Sequence, residues 1–260
     1  MKLTIITNTV FKQAPVQSVE LPENEKVNVA AGKEFKVQAY LEMGDHLKVT
    51  LLEDSLKGRN TWTVFKSHVE LIGDDGQKLV GKYTSGDKLP EKVNLPVAWF
   101  SQRDNEFDPQ GTCNVTCVAM CLYYYGIRPT NPKEQLENEL FELVAQKGWD
   151  YHVHEHLRRV FIEYGVFDTF KVDASLNEIK THLANKNPVV LPGMFTESGH
   201  IIVLRGYDET GFLVNDPYGE FFYSGYRDKS GENLHYSYKL VQEKCMDTLE
   251  QYWAHFPEKR

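Results

Sequence analysis

The sequence predicts two units, an all-β unit followed by an α+β unit, and three observations point to that arrangement. Residues 1 to about 83 form a succession of short alternating or apolar runs separated by Gly, Asn and Asp. From Cys113 onward the hydrophobic period becomes helical, and after Pro188 it shortens again. Helices first and strands later within one unit is the order of α+β rather than alternating α/β. Charge divides at the same place: residues 1–93 hold 13 basic and 13 acidic side chains, so the remainder carries the whole net charge of −8.

Composition sets the outer limits. With 260 residues, 41 % hydrophobic and 12 % aromatic, the chain has enough apolar material for a real core, which excludes wholesale disorder. No apolar run approaches the roughly 18 residues of a spanning helix. The scattered acidic excess gives no electrostatic reason to expect nucleic acid or an anionic membrane as partner. The first residues, MKLTIITNTVFKQAP, lack the roughly 7–15-residue apolar stretch of a signal peptide. A cytoplasmic location is therefore expected, with release by lysis as the route outward.

The strands of the first unit are read as VEL (19–21), KVNVAA (26–31), EFKVQAYLEM (34–43), HLKVTLLE (46–53), the two runs of NTWTVFKSHVELIG (60–73), and KLVGKYT (78–84). Many short strands at close spacing suggest a small barrel, because closure removes exposed edges. The pattern resembles the bacterial variety of the SH3-like barrel, with NTWTVFKSHVEL similar to its closing strands. The first unit is thus expected over 1–83, a linker with two prolines and several charges over 84–96, and the second unit over 97–260.

In the second unit CNVTCVAMCLYYYG (113–126) is apolar almost all round, as a buried helix would be, with Gly126 as its stop. Asn131 and Pro132 suit the start of a second helix, buried through Leu136, Leu140, Leu143 and Val144. A third is expected from about 151 to 164 on Val153, Leu157, Val160, Phe161 and Tyr164. A fourth begins at Ser175, whose Glu178 three residues on completes a capping box. PVVLPGMF, HIIVLRGYD and GFLVND then read as strands.

The chemistry concentrates at Cys113. Asp108 to Thr112 form a turn, so Cys113 falls in the first turn of a buried helix, where unpaired N–H groups and the helix dipole favour negative charge. Such a position favours a thiolate nucleophile, and the same amides suit an oxyanion. A base is offered by His200, which opens a strand, and an orienting carboxylate by Asp216, which closes the next. In a simple hairpin around Glu209–Gly211, Asp216 would lie opposite Leu204, about 13 Å along the strand from His200. Asn215 is the alternative partner.

Cys113 in GTCNVTCVAMCLYYYG, Gln102 in WFSQRDN, and GHIIVLRGYD with NDPYG together resemble the papain-like cysteine peptidases typified by the double-glycine leader peptidases of bacteriocin exporters. The match spans about residues 94–219. The resemblance implies Cys113 as nucleophile, His200 as general base and then acid, Asp216 as orienter and Gln102 as oxyanion donor. It implies no cofactor, and a peptide or peptidoglycan-derived substrate. The sequence departs from the family at Asn114 and Val115, where Gly and Pro are usual, and at Cys117, where Ser is common.

Other features carry blander readings. Cys117 and Cys121 lie one and two helical turns beyond Cys113 and read as core thiols, as successive turns do not converge on a metal. The run His152-Val153-His154-Glu155-His156 has the residue types of a metal site. On a helix with Val153 inward, however, His154 faces away from His152 and His156. His46, His68, His182, His235 and His255 show no constellation. Two alternatives to hydrolysis stay open: a peptide-binding module without turnover, and a transglutaminase-like acyl transferase.

Overall fold

The computed structural model describes residues 1–84, 86–227 and 230–259. The chain divides into two compact units, Met1–Leu89 and Pro90–Arg260.

The first unit is built from β1 (Lys2–Ile5), β2 (Thr9–Lys12), β3 (Lys26–Val29), β4 (Glu34–Met43), β5 (His46–Leu51), β6 (Thr61–Phe65), β7 (Val69–Ile72) and β8 (Lys78–Val80). Period-two alternation does the sorting: along β5, Leu47, Val49 and Leu51 are buried while Lys48 is exposed. Phe11, Phe35, Trp62 and Leu71 join them in one core. The antiparallel pairings follow the order β3-β2-β6-β5-β4-β1-β7-β8. Among the described residues this is an open path with β3 and β8 at its ends. The expected VEL strand is instead a 3-10 turn, Ser18–Glu20, with Val19 exposed.

The second unit comprises β9 (Val93–Asn94), α1 (Cys113–Tyr124), α2 (Leu136–Gln146), α3 (His154–Glu163), β10 (Phe167–Ala174), α4 (Leu176–Ala184), β11 (Val189–Gly193), β12 (His200–Tyr207), β13 (Gly211–Asn215), β14 (Glu220–Phe222), β15 (Gly225–Arg227), β16 (Leu234–Ser237), α5 (Tyr238–Cys245) and β17 (Tyr252–Glu258). One sheet has the order β10-β17-β11-β12-β13-β16, with β9 also on β12, and β14–β15 form a separate hairpin. Val93 and Asn94, expected in the linker, are therefore sheet residues. The Leu95 amide donates to the Arg205 carbonyl, and Leu95 and Val97 are buried. Gly206 makes this contact possible, since a Cβ there would meet the Val93 carbonyl at 2.0 Å.

Helix α1 is buried from Val115 to Leu122 and ends as expected. Gly126, at φ 88°, donates to Tyr123 and Ile127 donates back to Leu122, closing the helix in a Schellman turn. The Asn131–Pro132 signal instead makes a local turn, in which the Asn131 side chain takes the Lys133 amide, and α2 starts at Leu136. The capping box at Ser175 and Glu178 is present. Helix α3 starts at His154 rather than near 151, which leaves Val153 as its half-exposed N-cap and turns His154 inward. Among the described residues no helix is long and apolar enough to cross a membrane.

Candidate active site

Residues that were far apart in sequence meet in a cleft of about 810 Å³ in the second unit, lined by Gln102, Cys113, His200 and Tyr218 among others. A buried polar knot fixes the start of α1. The Asn105 amide donates to the hydroxyls of Thr112 and Thr116, and the Thr112 hydroxyl donates to the Asp108 carbonyl. The Thr112 side chain makes no capping hydrogen bond, so the first N–H groups of the helix are not taken up by its N-cap. Cys113 is the one half-exposed thiol; Cys117, Cys121 and Cys245 are buried. Asn114, the departure from Gly, is engaged: its amide donates to the Tyr151 carbonyl at 2.6 Å and its Oδ1 lies 3.5 Å from the Cys113 sulfur.

His200 and Asp216 are in contact. The ring Nε2 and the carboxylate Oδ1 are 2.7 Å apart, and both side chains are buried. The simple hairpin register fails because β12 bulges at Arg205. Tyr207 pairs with Phe212 and Gly206 with Leu213, but beyond the bulge Leu204 pairs with Val214 and Val203 with Asn215. The turn brings Tyr207 opposite Phe212, one residue off the simple register, and the bulge adds one more, so Asp216 comes two residues nearer His200 on the same face and the expected gap of about 13 Å does not arise. Asn215 is spent elsewhere, donating to the Val97 carbonyl and accepting the Asn233 amide.

The carboxylate is saturated. Oδ1 also accepts the Tyr218 amide at 3.0 Å, and Oδ2 accepts the hydroxyls of Tyr226 and Tyr236, each at 3.0 Å. Burial first, and the Asp216 charge second, push both phenols far above their ordinary range, so they remain donors. The Asp216 backbone is held as firmly: its amide donates to the Gly231 carbonyl and its carbonyl accepts the Trp99 indole. A Cβ on Gly231 would fall 1.8 Å from that carbonyl. None of these partners was visible beforehand, because Tyr226, Gly231 and Tyr236 return to the site through β15, β16 and the segment between them.

Burial alone would lower the His200 pKa, but the Asp216 carboxylate, with a smaller contribution from Cys113, raises it to about 10. With Nε2 committed to Asp216, Nδ1 is the nitrogen left for sulfur. The consequence for stability has a definite sign. A pKa raised above the ordinary 6.5 contributes stability that is complete below about pH 6.5 and disappears as pH rises through about 10. The melting-temperature advantage of the natural chain over His200→Gln is therefore expected to shrink steadily across that window. An advantage that grew with pH would contradict this coupling.

Gln102 is buried at the edge of the cleft in a 3-10 turn, Gln102–Asp104. Its amide nitrogen donates to the Pro109 carbonyl at 3.1 Å, and its backbone amide donates to Pro217, tying it to the segment after Asp216. Its carbonyl Oε1 has no partner among the described residues. Burial raises the thiols of Cys117, Cys121 and Cys245 well above the usual range. Iodoacetamide on the folded protein is therefore expected to label one cysteine, Cys113, as read by peptide mass mapping. Equal labelling of Cys117 would contradict the burial. Among the described residues no group of His, Cys, Asp or Glu forms a metal cluster, the His152–His156 run included.

A half-exposed thiol at the start of α1 and an imidazole held by a saturated carboxylate thus line one cleft of an α+β frame. The chain belongs to the Peptidase_C39 like family, whose sequence profile matches residues 94–246. Solved structures similar to this chain include two peptidases. One is a C39-like peptidase from Bacillus anthracis, 19 % identical, covering 66 % of this chain and 99 % of its own, with a TM-score of 0.45. The other is a double glycine motif protease from an AMS/PCAT transporter in complex with the leader peptide, 15 % identical, covering 66 % and 93 %, with a TM-score of 0.38. No curated protein matches the chain.

Proposed function

We propose that the second unit is a cysteine peptidase that hydrolyses a peptide or isopeptide bond. The observation that carries this reading is the half-exposed Cys113 at the start of α1, in one cleft with a His200 whose Nε2 is fixed by Asp216. Cys113 transfers its proton to His200, and the thiolate attacks the substrate carbonyl. The oxyanion is received by the Cys113 N–H and the Gln102 amide. The His200 imidazolium protonates the leaving amine, and a thioester remains. His200 then takes a proton from water, which attacks the thioester and releases the acid. Asp216 does not take up the proton; it fixes the ring and stabilises its charge.

The first unit, with its short antiparallel strands around one core, supports the reading of an SH3-like module accompanying the peptidase. Cell-wall peptides are the substrates that this pairing suggests. Peptide and muropeptide libraries, followed by mass spectrometry with and without an added amine, test the proposal. Cleavage with addition of water is expected. Products carrying the amine would assign acyl transfer instead, and a chain that binds peptides without turnover would be the binding module.

A further inference from the structure

A second buried relay ends in the same cleft. On β10 and β17, Asp168 and His255 are fully buried, with the Asp168 carboxylate 2.6 Å from His255 Nδ1. His255 Nε2 in turn lies 3.0 Å from Nδ1 of His154, the first residue of α3. His154 is only partly buried and lines the cleft together with Trp253 and Met194. Its ring is clamped, stacked on Phe170 at 4.5 Å and 11° and edge-on to Trp253 at 5.6 Å. The segment before it is anchored beside the nucleophile, because Asn114 holds the Tyr151 carbonyl.

Hydrogen bonds along such a chain must alternate donor and acceptor. The carboxylate accepts, so His255 Nδ1 carries the proton. An uncharged His255 leaves its Nε2 bare, and that nitrogen accepts from His154 Nδ1–H. The proton of His154 is thereby fixed on Nδ1, and its Nε2 is left bare. Burial lowers the His154 pKa to about 4, which keeps this ring neutral near pH 7. Nothing in the proposed hydrolysis uses this relay.

We propose that His154 is a specificity residue of the cleft, a neutral hydrogen-bond acceptor set by the Asp168–His255 pair, which receives the N–H tip of a long substrate side chain such as glutamine or lysine. Exposed Met194 and Trp253 flank it and suit the apolar stem of such a side chain. Asp168 and His255 are positioning residues that act through His154. The proposal rests on the peptidase reading for its substrate class.

Two measurements on the intact chain test it. Nitrogen-15 spectra of the histidine rings at pH 7, assigned with His154→Phe, are expected to show His154 protonated on Nδ1 and bare on Nε2. A protonated Nε2 overturns the proposal. Peptides carrying glutamine, lysine, norleucine or glutamate at each position are then compared, by turnover in the natural chain and by binding to Cys113→Ala. At one position glutamine and lysine are expected to exceed norleucine by about tenfold or more, with glutamate disfavoured. His154→Phe is expected to erase that preference, so that glutamine and lysine peptides no longer exceed norleucine peptides. A preference that survives His154→Phe, or none at any position, also overturns it. If binding shows the preference but the natural chain cuts nothing, the peptidase reading fails and the subsite stands.

Discussion

Replacing Cys113 by alanine is expected to lower peptide turnover by roughly 10⁴-fold or more while leaving the fold intact. The loss is large because the next thiol along the helix cannot take over. Cys117 lies one turn deeper with its sulfur against the Ile201 carbonyl, and burial keeps it a thiol. The change in stability is expected to stay within about 1 kcal/mol, since Cys113 is half-exposed and its polar contacts are weak. Turnover and thermal melting on the same preparation read both quantities. Substantial retained turnover would remove Cys113 from the mechanism, whereas a collapsed fold would make it a structural thiol.

The second large effect is expected at Asp216, and there two substitutions separate two roles. Asp216→Ala strips the acceptor from His200, Tyr226, Tyr236 and the Tyr218 amide together, stranding buried donors. A destabilisation of about 3–5 kcal/mol is expected from breaking such a buried arrangement. Asp216→Asn keeps the shape but removes the charge that holds the His200 pKa up. Turnover is expected to fall roughly 10²- to 10⁴-fold, with a far smaller loss of stability. The alkaline limb of its activity profile should also move to lower pH, because the ring loses the carboxylate that raises it from 6.5 toward about 10. An unshifted limb would show that Asp216 orients the ring without setting its charge.

The sequence was most legible where one local rule governs the outcome. The all-round apolar run after Cys113 became a buried helix, Gly126 stopped it, and the Ser175–Glu178 pair capped α4 as read. It was least legible where partners arrive from distant segments. The open hairpin question at Asp216 depended on a bulge at Arg205, and nothing in the composition of HIIVLRGYD marks that residue as the misfit. The same limit hid the tyrosines around Asp216. At His154 the helical period was sound but its origin was misplaced by three residues. Val153 therefore took the inward place, and His255, judged unremarkable in isolation, lost its partner. For the first unit, strand-forming runs were legible but the path of pairing was not, because alternation says which face is buried and nothing about which edges meet.

The bulge at Arg205 also restricts how this chain can change. His200 and Asp216 stand 16 residues apart, and their meeting depends on two extended segments being deliberately out of step. Deleting one residue between them would swing the carboxylate to the opposite side of the sheet, whereas a pair of deletions could preserve its side yet alter its reach. Drift in this stretch is thus constrained by parity as much as by residue identity, and relatives of different loop length should keep an irregularity somewhere along the ladder.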